Sequence, residues 1–231
     1  MSEEKKLFSV STEVYNKLPG FILISGLIEV GTVNEPAIKD YLKQSWEGLK
    51  QKIANADSVE NKRIQSWNET LKAAGVKIKD FPPSIQSISK RASKGGEVFS
   101  VNPIVDAYNA ISMELALPFG AYDVTELGEN LQFRLSAGGE EFIAIGTSEN
   151  EPTLPGEIVL CDDKGVLTRM FIWRQSGRSK ITTASKKFAF VCELLNTMDP
   201  GLQEKAKELI IQKMEALIGA KFSEVSIQQM V

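Results

Sequence analysis

The stretch NPIVDAYNAISMELALPFGAYD, residues 102–123, contains the pattern that decides the fold of this chain. Asn102 supplies a capping amide and Pro103 suits the first helical position, so a helix is predicted to begin here. One side of this helix is apolar and carries Ile104, Tyr108, Ile111 and Leu115. Beyond Pro118 the pattern changes to that of β-strands. The stretch therefore joins a helical block to a strand-rich block.

The segments on either side of this stretch follow the same division. On the N-terminal side we predict a buried strand over 21–30 and three helices, whose apolar faces include Ile38 to Ile53, Ile64 to Ala74 and Ile85 to Ala92. On the C-terminal side we predict the strands Leu131–Leu135, Glu141–Ile145, Ile158–Cys161, Val166–Trp173 and Lys187–Glu193. The first two are expected to pair around Gly138-Gly139, and the next two around Asp162 to Gly165. Strands segregated from helices predict an α+β fold rather than a βαβ repeat.

The whole chain, 1–231, is expected to form a single compact domain, because no linker or internal repeat divides it. A mainly helical part covers about 1–96. The motif helix and the strand-rich part cover about 97–195. A C-terminal helix is expected over about 199–219, since Asp199-Pro200 starts a helical pattern that Gly219 closes.

The absence of histidine excludes several classes of chemistry. The chain has no histidine, two cysteines, 27 Lys+Arg and 30 Asp+Glu. Ser-His-Asp triads, Cys–His pairs and two-histidine metal sites therefore cannot occur. There is also no glycine-rich phosphate loop and no paired spacing of metal ligands, so we expect neither a cofactor nor a metal. The pI near 5.3 gives no overall attraction to nucleic acid.

The cysteines and the apolar segments bear on location. Cys161 and Cys192 lie in apolar, strand-like runs, where free buried thiols are expected, as in a reducing compartment. The longest apolar run, Phe21 to Val30, is too short to span a bilayer, and the N-terminus lacks the pattern of a signal peptide. We therefore expect a cytoplasmic protein without a membrane partner.

A local basic stretch stands out against the acidic composition. No acidic residue lies between Asp163 and Glu193. The basic residues of this stretch are Arg169, Arg174, Arg178, Lys180, Lys186 and Lys187, and they alternate with Phe171, Trp173 and Phe188. Positive charge beside aromatic faces is typical of a site for single-stranded nucleic acid or a tRNA end. A solvated loop with one core tryptophan fits the pattern equally well.

Asp106 and Asn109 form a polar pair beside the apolar stripe of the motif helix. Their spacing of three residues places both on one side of that helix. Partly buried polar groups need partners, which can be backbone groups or a ligand. For Asp106 we expect backbone anchoring, and for Asn109 both roles stay open.

Residues 102–123 resemble the B3/B4 domain of the bacterial phenylalanyl-tRNA synthetase β subunit, with its VVDxTN helix followed by an ExGxPxHAFD segment. Further similar stretches are Pro83 to Arg91, Asp123 to Leu127, Leu131 to Arg134, Gly139-Glu140, Gly156 to Asp162 and Ser179 to Thr182. The resemblance covers roughly 10–195. It implies a β-sandwich-like core with helices packed on it.

The resemblance also implies roles for single residues. In the synthetase this domain hydrolyses misacylated Tyr-tRNA, and the similarity assigns Asn109 and Glu193 to catalysis. Substrate-binding positions are Tyr108 and Gly120, which replace a threonine and a histidine, and Trp173-Arg174, near which paired glycines are replaced. A threonine–alanine segment of the synthetase has no counterpart. Because two pocket side chains differ, we expect Tyr-tRNA not to be the preferred substrate.

These observations predict a protein that binds the aminoacyl end of a tRNA and hydrolyses a mischarged aminoacyl-tRNA in trans. Arg178, Lys180, Lys186 and Lys187 are the predicted contacts to nucleic acid. Two alternatives stay open: a binding module without catalysis that retains only the pocket, and a binder of amino acids or other small metabolites on the same scaffold. The acidic pI favours these alternatives, whereas the basic stretch favours the tRNA hypothesis.

Overall fold

The structure is a computed structural model that describes residues 7–230, which contain nine strands and six α-helices. The helices are α1 (Thr12–Lys17), α2 (Glu35–Ala54), α3 (Val59–Ala73), α4 (Ser84–Ser93), α5 (Pro103–Leu115) and α6 (Leu202–Ile218). The strands are β1 (Phe8–Val10), β2 (Phe21–Glu29), β3 (Phe119–Asp123), β4 (Leu131–Leu135), β5 (Ile158–Asp162), β6 (Gly165–Arg169), β7 (Arg174–Gln175), β8 (Lys187–Leu195) and β9 (Lys221–Gln229). Within residues 7–230, no helix has the length and apolar character needed to cross a bilayer.

The strands form two sheets. One is antiparallel, with the order β3-β8-β2-β9, and its central strands β2 and β8 pair over nine residues. The other has the order β1-β4-β5-β6-β7, in which β1 runs parallel to β4 and the remaining pairs are antiparallel. The predicted hairpin around Asp162 to Gly165 is confirmed as β5–β6.

Three layers result, because the four-stranded sheet is buried on both faces. Successive side chains of a strand point to opposite faces. Phe188, Phe190 and Cys192 of β8 pack with the helices α2, α5 and α6, whereas Ala189 and Val191 pack with the five-stranded sheet. The α+β prediction of a sandwich-like core with packed helices is confirmed.

The motif helix α5 begins where the sequence predicts. The Asn102 side chain accepts a hydrogen bond from the Val105 amide at 3.0 Å. Asp106 accepts bonds from the Val101 amide at 2.8 Å and the Ser100 hydroxyl at 2.5 Å, so its expected role as a backbone anchor is confirmed. Ala116 ends the helix in a left-handed conformation, and the chain enters β3 directly.

The predicted strand Glu141–Ile145 is wrong. Gly138 and Gly139 both adopt positive φ and turn the chain into a loop, which leaves β4 to pair with β5 instead. In this segment Ile143 and Ala144 form only isolated bridges. The predicted strand Val166–Trp173 is too long, since β6 ends at Arg169 and two left-handed residues follow it.

The sheet edges contain strands that the sequence pattern did not reveal. β1 is only three residues long, and β9 follows Gly219, where the last predicted helix ends. β9 contains a bulge opposite Gly26, at which a Cβ would meet the Phe190 ring at 2.7 Å and the Glu224 carbonyl oxygen at 2.8 Å. Gly26 is thus required for the close approach of β9.

Glu224 gives a testable consequence of this bulge. It is exposed and has a φ of 60°, in the left-handed region that disfavours residues with a Cβ. We expect Glu224→Gly to raise the free energy of unfolding by about 1 kcal/mol in chemical denaturation. Glu224→Ala removes the same charge but keeps the Cβ, so it should bring no gain. An equal gain from both variants would contradict the backbone explanation.

Candidate functional site

A cavity of about 170 Å³ opens beside β3, the edge strand of the four-stranded sheet. Five parts of the chain meet there: the start of α4, the middle of α5, β3, the end of β8 and the turn that joins β6 to β7. The lining residues are Ser84, Tyr108, Asn109, Pro118, Phe119, Gly120, Tyr122, Thr168, Phe171, Ile172, Trp173, Arg174, Gln175 and Glu193. We call this cavity the inner pocket.

The inner pocket brings together the six residues that the resemblance assigned to catalysis and substrate binding. They are Tyr108, Asn109, Gly120, Trp173, Arg174 and Glu193. They come from four elements: α5, β3, the β6–β7 turn and β8. The four predicted contacts to nucleic acid lie outside this cavity.

Glu193 is the buried acidic group of the pocket. It lies on β8 opposite Leu23 of β2, and its backbone amide donates to the Pro118 carbonyl at 3.4 Å, where β3 begins. Its side chain is 4% exposed. Burial raises the pKa of Glu193 to about 8. The carboxyl group is therefore mostly protonated at pH 7 in the free protein.

Two hydroxyl groups lie near Glu193. The Tyr122 Oη and Thr168 Oγ1 atoms are 2.7 Å apart, and this hydrogen bond joins the two sheets. Burial, followed by the nearby Glu193 carboxyl, raises the pKa of Tyr122 above its ordinary value. The phenol therefore stays protonated around neutral pH, and it offers hydrogen bonding rather than acid–base exchange.

Gly120 lies on the same face of β3 as Tyr122. A Cβ at this position would be 3.1 Å from the Tyr122 Oη atom and 3.2 Å from a methyl carbon of Val191. Those distances are too short for an ordinary contact. The room next to Gly120 is thus already taken by Tyr122, and any larger side chain there must extend into the pocket.

The amide of Asn109 faces the pocket without a protein partner. Asn109 is half-buried, and within residues 7–230 its side chain makes no hydrogen bond. Asp106, one turn earlier, is fully engaged by its own segment. Tyr108, which precedes Asn109, stacks on Phe119, with ring centroids 5.5 Å apart and an interplanar angle of 9°.

The β6–β7 turn forms one wall of the pocket and has a strained backbone. Met170 and Phe171 have φ values of 49° and 68°, although neither is glycine. The left-handed conformation that paired glycines adopt readily is thus found here, just before Trp173. Trp173 packs edge-on against Phe81 at 4.7 Å, and the Arg174 guanidinium lies 4.8 Å from its ring.

Arg169, the last residue of β6, anchors this turn to the preceding loop. It is buried and donates to both carboxylate oxygens of Glu157, at 2.8 and 2.7 Å, and to the Glu151 carbonyl at 2.8 Å. Arg169 is therefore a structural cation and no part of an exposed basic surface. Phe171 and Phe188, which the sequence offered as aromatic faces, are also buried.

Among the predicted contacts to nucleic acid, Arg178 is bound to a carboxylate. It donates to both oxygens of Asp162, at 2.7 and 3.0 Å, and to the Glu126 carbonyl at 2.8 Å. Burial alone would raise the pKa of Asp162, but the hydrogen bonds from Arg178 and the Gly128 amide hold it below its ordinary value. The charge of Arg178 is thus compensated within the protein.

The three lysines of the predicted nucleic-acid contacts are exposed but separated. Lys180 lines a larger cleft of about 690 Å³, which we call the outer cleft. Ser84, Tyr108, Asn109, Trp173, Arg174 and Gln175 line both the outer cleft and the inner pocket, so the two are continuous. Lys186 and Lys187 lie at the other end of β8, about 20 Å from Glu193 at the rise of a β-strand.

Several lining residues were not identified from the sequence. Tyr122 and Phe119 lie in the motif stretch itself, and alternation along β3 would have placed Tyr122 on the face of Gly120. Thr168 and Gln175 carry no local signal. The Gln175 amide donates to the Ala121 carbonyl at 2.9 Å, a contact that joins the turn to β3.

The fold and the site together define an α+β domain, a two-sheet sandwich with one helical layer and a polar pocket at a sheet edge. Comparison with known families identifies it further. The family model of the B3/4 domain matches residues 66–218, and the chain belongs to this family.

Two curated proteins and one solved structure illustrate what the chain is similar to. It is 26% identical to the phenylalanine–tRNA ligase β subunit of Mycoplasma genitalium over 111 residues, 48% of this chain and 13% of that protein. It is 35% identical to that of Mannheimia succiniciproducens over 69 residues, 29% of this chain and 8% of that protein. An N-terminal fragment of the phenylalanyl-tRNA synthetase β subunit from Pyrococcus horikoshii gives a TM-score of 0.49 and 11% identity, over 95% of this chain and 50% of that one.

Proposed function

We propose that this protein binds the aminoacyl end of a tRNA and hydrolyses the ester in trans. The observation that carries the proposal is the meeting of Asn109 and Glu193 in one pocket, each with hydrogen-bonding capacity that the described residues leave unused. Membership of the B3/4 family and similarity to phenylalanine–tRNA ligase β subunits support the choice of ligand.

The chemistry required is modest, because an aminoacyl ester is reactive. A water oxygen adds to the carbonyl carbon, the bond from that carbon to the ribose oxygen breaks, and the ribose oxygen takes up a proton. The Asn109 amide can donate to the carbonyl oxygen, where negative charge develops. With no histidine in the chain, acceleration rests on positioning and on the Glu193 carboxyl.

The outer cleft is the proposed path of the tRNA end. It continues the inner pocket and is bordered by the exposed cations Arg174 and Lys180, with Trp173 at the junction. Base stacking on an aromatic side chain and contact between cations and phosphates are the usual contributions to such binding. Lys186 and Lys187 belong to the proposal only as distant contacts to the body of the tRNA.

Binding of a free amino acid or a related small amine is the second candidate. The observation that favours it is the engagement of Arg169 and Arg178 by Glu157 and Asp162, which removes two cations from the predicted basic stretch. The net charge of −3 also disfavours binding of a polyanion such as tRNA. A ligand without phosphates would require only the inner pocket.

Deacylation of a panel of aminoacyl-tRNAs separates the two candidates. We expect the protein to accelerate loss of at least one aminoacyl group, with Tyr-tRNA not preferred, and we expect tRNA binding to weaken as salt rises. Binding of free amino acids without tRNA binding at low salt would reject the tRNA proposal in favour of the second candidate.

Asn109→Ala is expected to lower ligand binding or hydrolysis at least tenfold, about 1.4 kcal/mol, while the free energy of unfolding stays nearly unchanged. The reason is that the amide has no partner within residues 7–230 whose bond would be lost. Binding assays run beside thermal denaturation measure both quantities.

Asn102→Ala is the matched control, since it makes the same change in the same helix. It removes the cap bond from the Val105 amide and the bond that the Asn102 amide donates to the Ile181 carbonyl, so we expect stability to fall by about 1–2 kcal/mol with unchanged affinity of the folded protein. A destabilised Asn109→Ala protein with normal affinity would remove Asn109 from the site.

A further inference from the structure

Glu193 differs from every other buried acid in the described part of the chain. Five carboxylates are buried there: Asp106, Asp123, Glu157, Asp162 and Glu193. The first four receive hydrogen bonds or ion pairs, from Ser100 and Val101, from Thr125 and Ser185, from Arg169, and from Arg178, Gly128 and Lys164. No other residue donates to Glu193 within 7–230. Apart from its own backbone amide, the carboxyl group of Glu193, 96% buried, thus has no partner, and it lines a cavity.

The groups around Glu193 explain why the protein itself does not supply a cation. From β3 comes the phenol of Tyr122, and from α5 come the phenol of Tyr108 and the amide of Asn109. β2 offers Leu23, and Cys192 on β8 faces the opposite layer. Among the lining residues of the described chain, Arg174 is the only cation, and its guanidinium is directed to Glu151 at 3.6 Å and to the Trp173 ring.

We infer that the pocket is built for a ligand with a primary ammonium group, which pairs with the Glu193 carboxylate. Buried charges in proteins are paired, so a ligand cation is the natural partner for this one acid. A single carboxylate among phenols and amides suits an ammonium, which has three donors, better than a divalent metal, which needs several oxygen ligands. The inference rests on the proposed function and adds that the free α-amino group of the aminoacyl ligand is recognised.

Proton release accompanies such binding. In the free protein, burial raises the pKa of Glu193 to about 8, and a nearby ammonium lowers it again. Glu193 is therefore protonated before binding at pH 7 and ionised afterwards. Binding at pH 7 should release most of one proton from the Glu193 carboxyl group. The affinity for the ammonium ligand should therefore rise with pH between about 5.5 and 7.5.

Suitable probes are 3′-amino-3′-deoxyadenosines whose 3′-nitrogen is acylated with alanine, leucine or phenylalanine. Their amide bond replaces the ester of the aminoacyl end and resists hydrolysis. Each is compared by calorimetry, in buffers of different ionisation enthalpy, with its N-acetyl derivative and with the analogue that has a hydroxyl in place of the amine. We expect both replacements to weaken binding at least tenfold and to abolish proton release. Glu193→Gln should have the same effect, whereas Asn109→Ala should weaken binding but retain proton release.

A second measurement requires no ligand. The folded-state pKa of Glu193 lies above the unfolded value of 4.5, so wild-type stability should fall as pH rises from 4.5 towards about 8. Glu193→Gln should lack this contribution. Equal pH profiles of the two proteins would overturn the view that Glu193 is unpartnered.

The outcomes also separate this inference from the proposed function. Equal binding of the N-acetyl, hydroxyl and free-amine probes, or no binding of any free amine, overturns the inference. Deacylation of aminoacyl-tRNA with equal binding of all probes leaves the proposed function standing alone. Binding of simple amino-acid amides with proton release, without any tRNA binding, supports the ammonium site and overturns the tRNA proposal.

Discussion

Arg169→Met is expected to lower the free energy of unfolding by about 3–5 kcal/mol, because it leaves the buried Glu157 carboxylate without a compensating charge. The side chains of Arg169 and Glu157 are 5% and 2% exposed, and two hydrogen bonds join them. A third bond, to the Glu151 carbonyl, ties the same guanidinium to the preceding loop. Urea denaturation of the purified variant measures the loss.

The double variant Arg169→Met/Glu157→Leu is the control for this prediction. Removing both charges leaves no buried ion without a partner, so the double variant should lose less stability than Arg169→Met alone. Losses that simply add would show that the two side chains act independently. A single-variant loss near zero would contradict the view that Arg169 is needed to compensate the buried Glu157 carboxylate.

Gly120→Leu is expected to lower ligand affinity at least a hundredfold, about 2.7 kcal/mol, because its side chain must occupy the inner pocket. Its Cβ starts 3.1 Å from the Tyr122 Oη atom, and the hydroxyl is held in place by Thr168. The added carbons therefore have the cavity of about 170 Å³ as their remaining space. The affinity for an aminoacyl ligand is measured at a temperature where the variant is folded.

Gly120→Ala gives the matched intermediate step. It introduces only the Cβ, so we expect a smaller fall in affinity together with a modest loss of stability from the contacts at 3.1 and 3.2 Å. Affinity that decreases from glycine through alanine to leucine locates the ligand next to Gly120. Unchanged affinity in the folded leucine variant would place the ligand elsewhere.

Local signals in the sequence determined much of the helical layer and the central sheet. The capping pair Asn102–Pro103, the turn before Gly165 and the apolar run after Gly20 each act over a few residues, and each produced the element expected of it. Such signals are reliable because capping and hydrophobic periodicity depend on neighbours along the chain.

Pairing between distant segments was decided by the tertiary structure. β1 runs parallel to β4, and β9 closes the other sheet beside β2. β1 is only three residues long, and β9 lacks a regular apolar pattern, so neither strand stands out in the sequence. The loop after Gly138 was mistaken for a strand because Glu141–Ile145 has a strand-like composition, while its partner positions on β4 are taken by β5.

The candidate site shows the same division. Motif similarity selected Asn109 and Glu193 from the sequence, but only the fold brings them to one cavity with Tyr122 and Thr168. The sequence also showed a run of cations after Asp163, whereas the structure pairs Arg169 and Arg178 with carboxylates from other segments. Composition counts charges along the chain, and burial decides which of them are compensated, because an ion removed from water requires a partner in space and not in sequence.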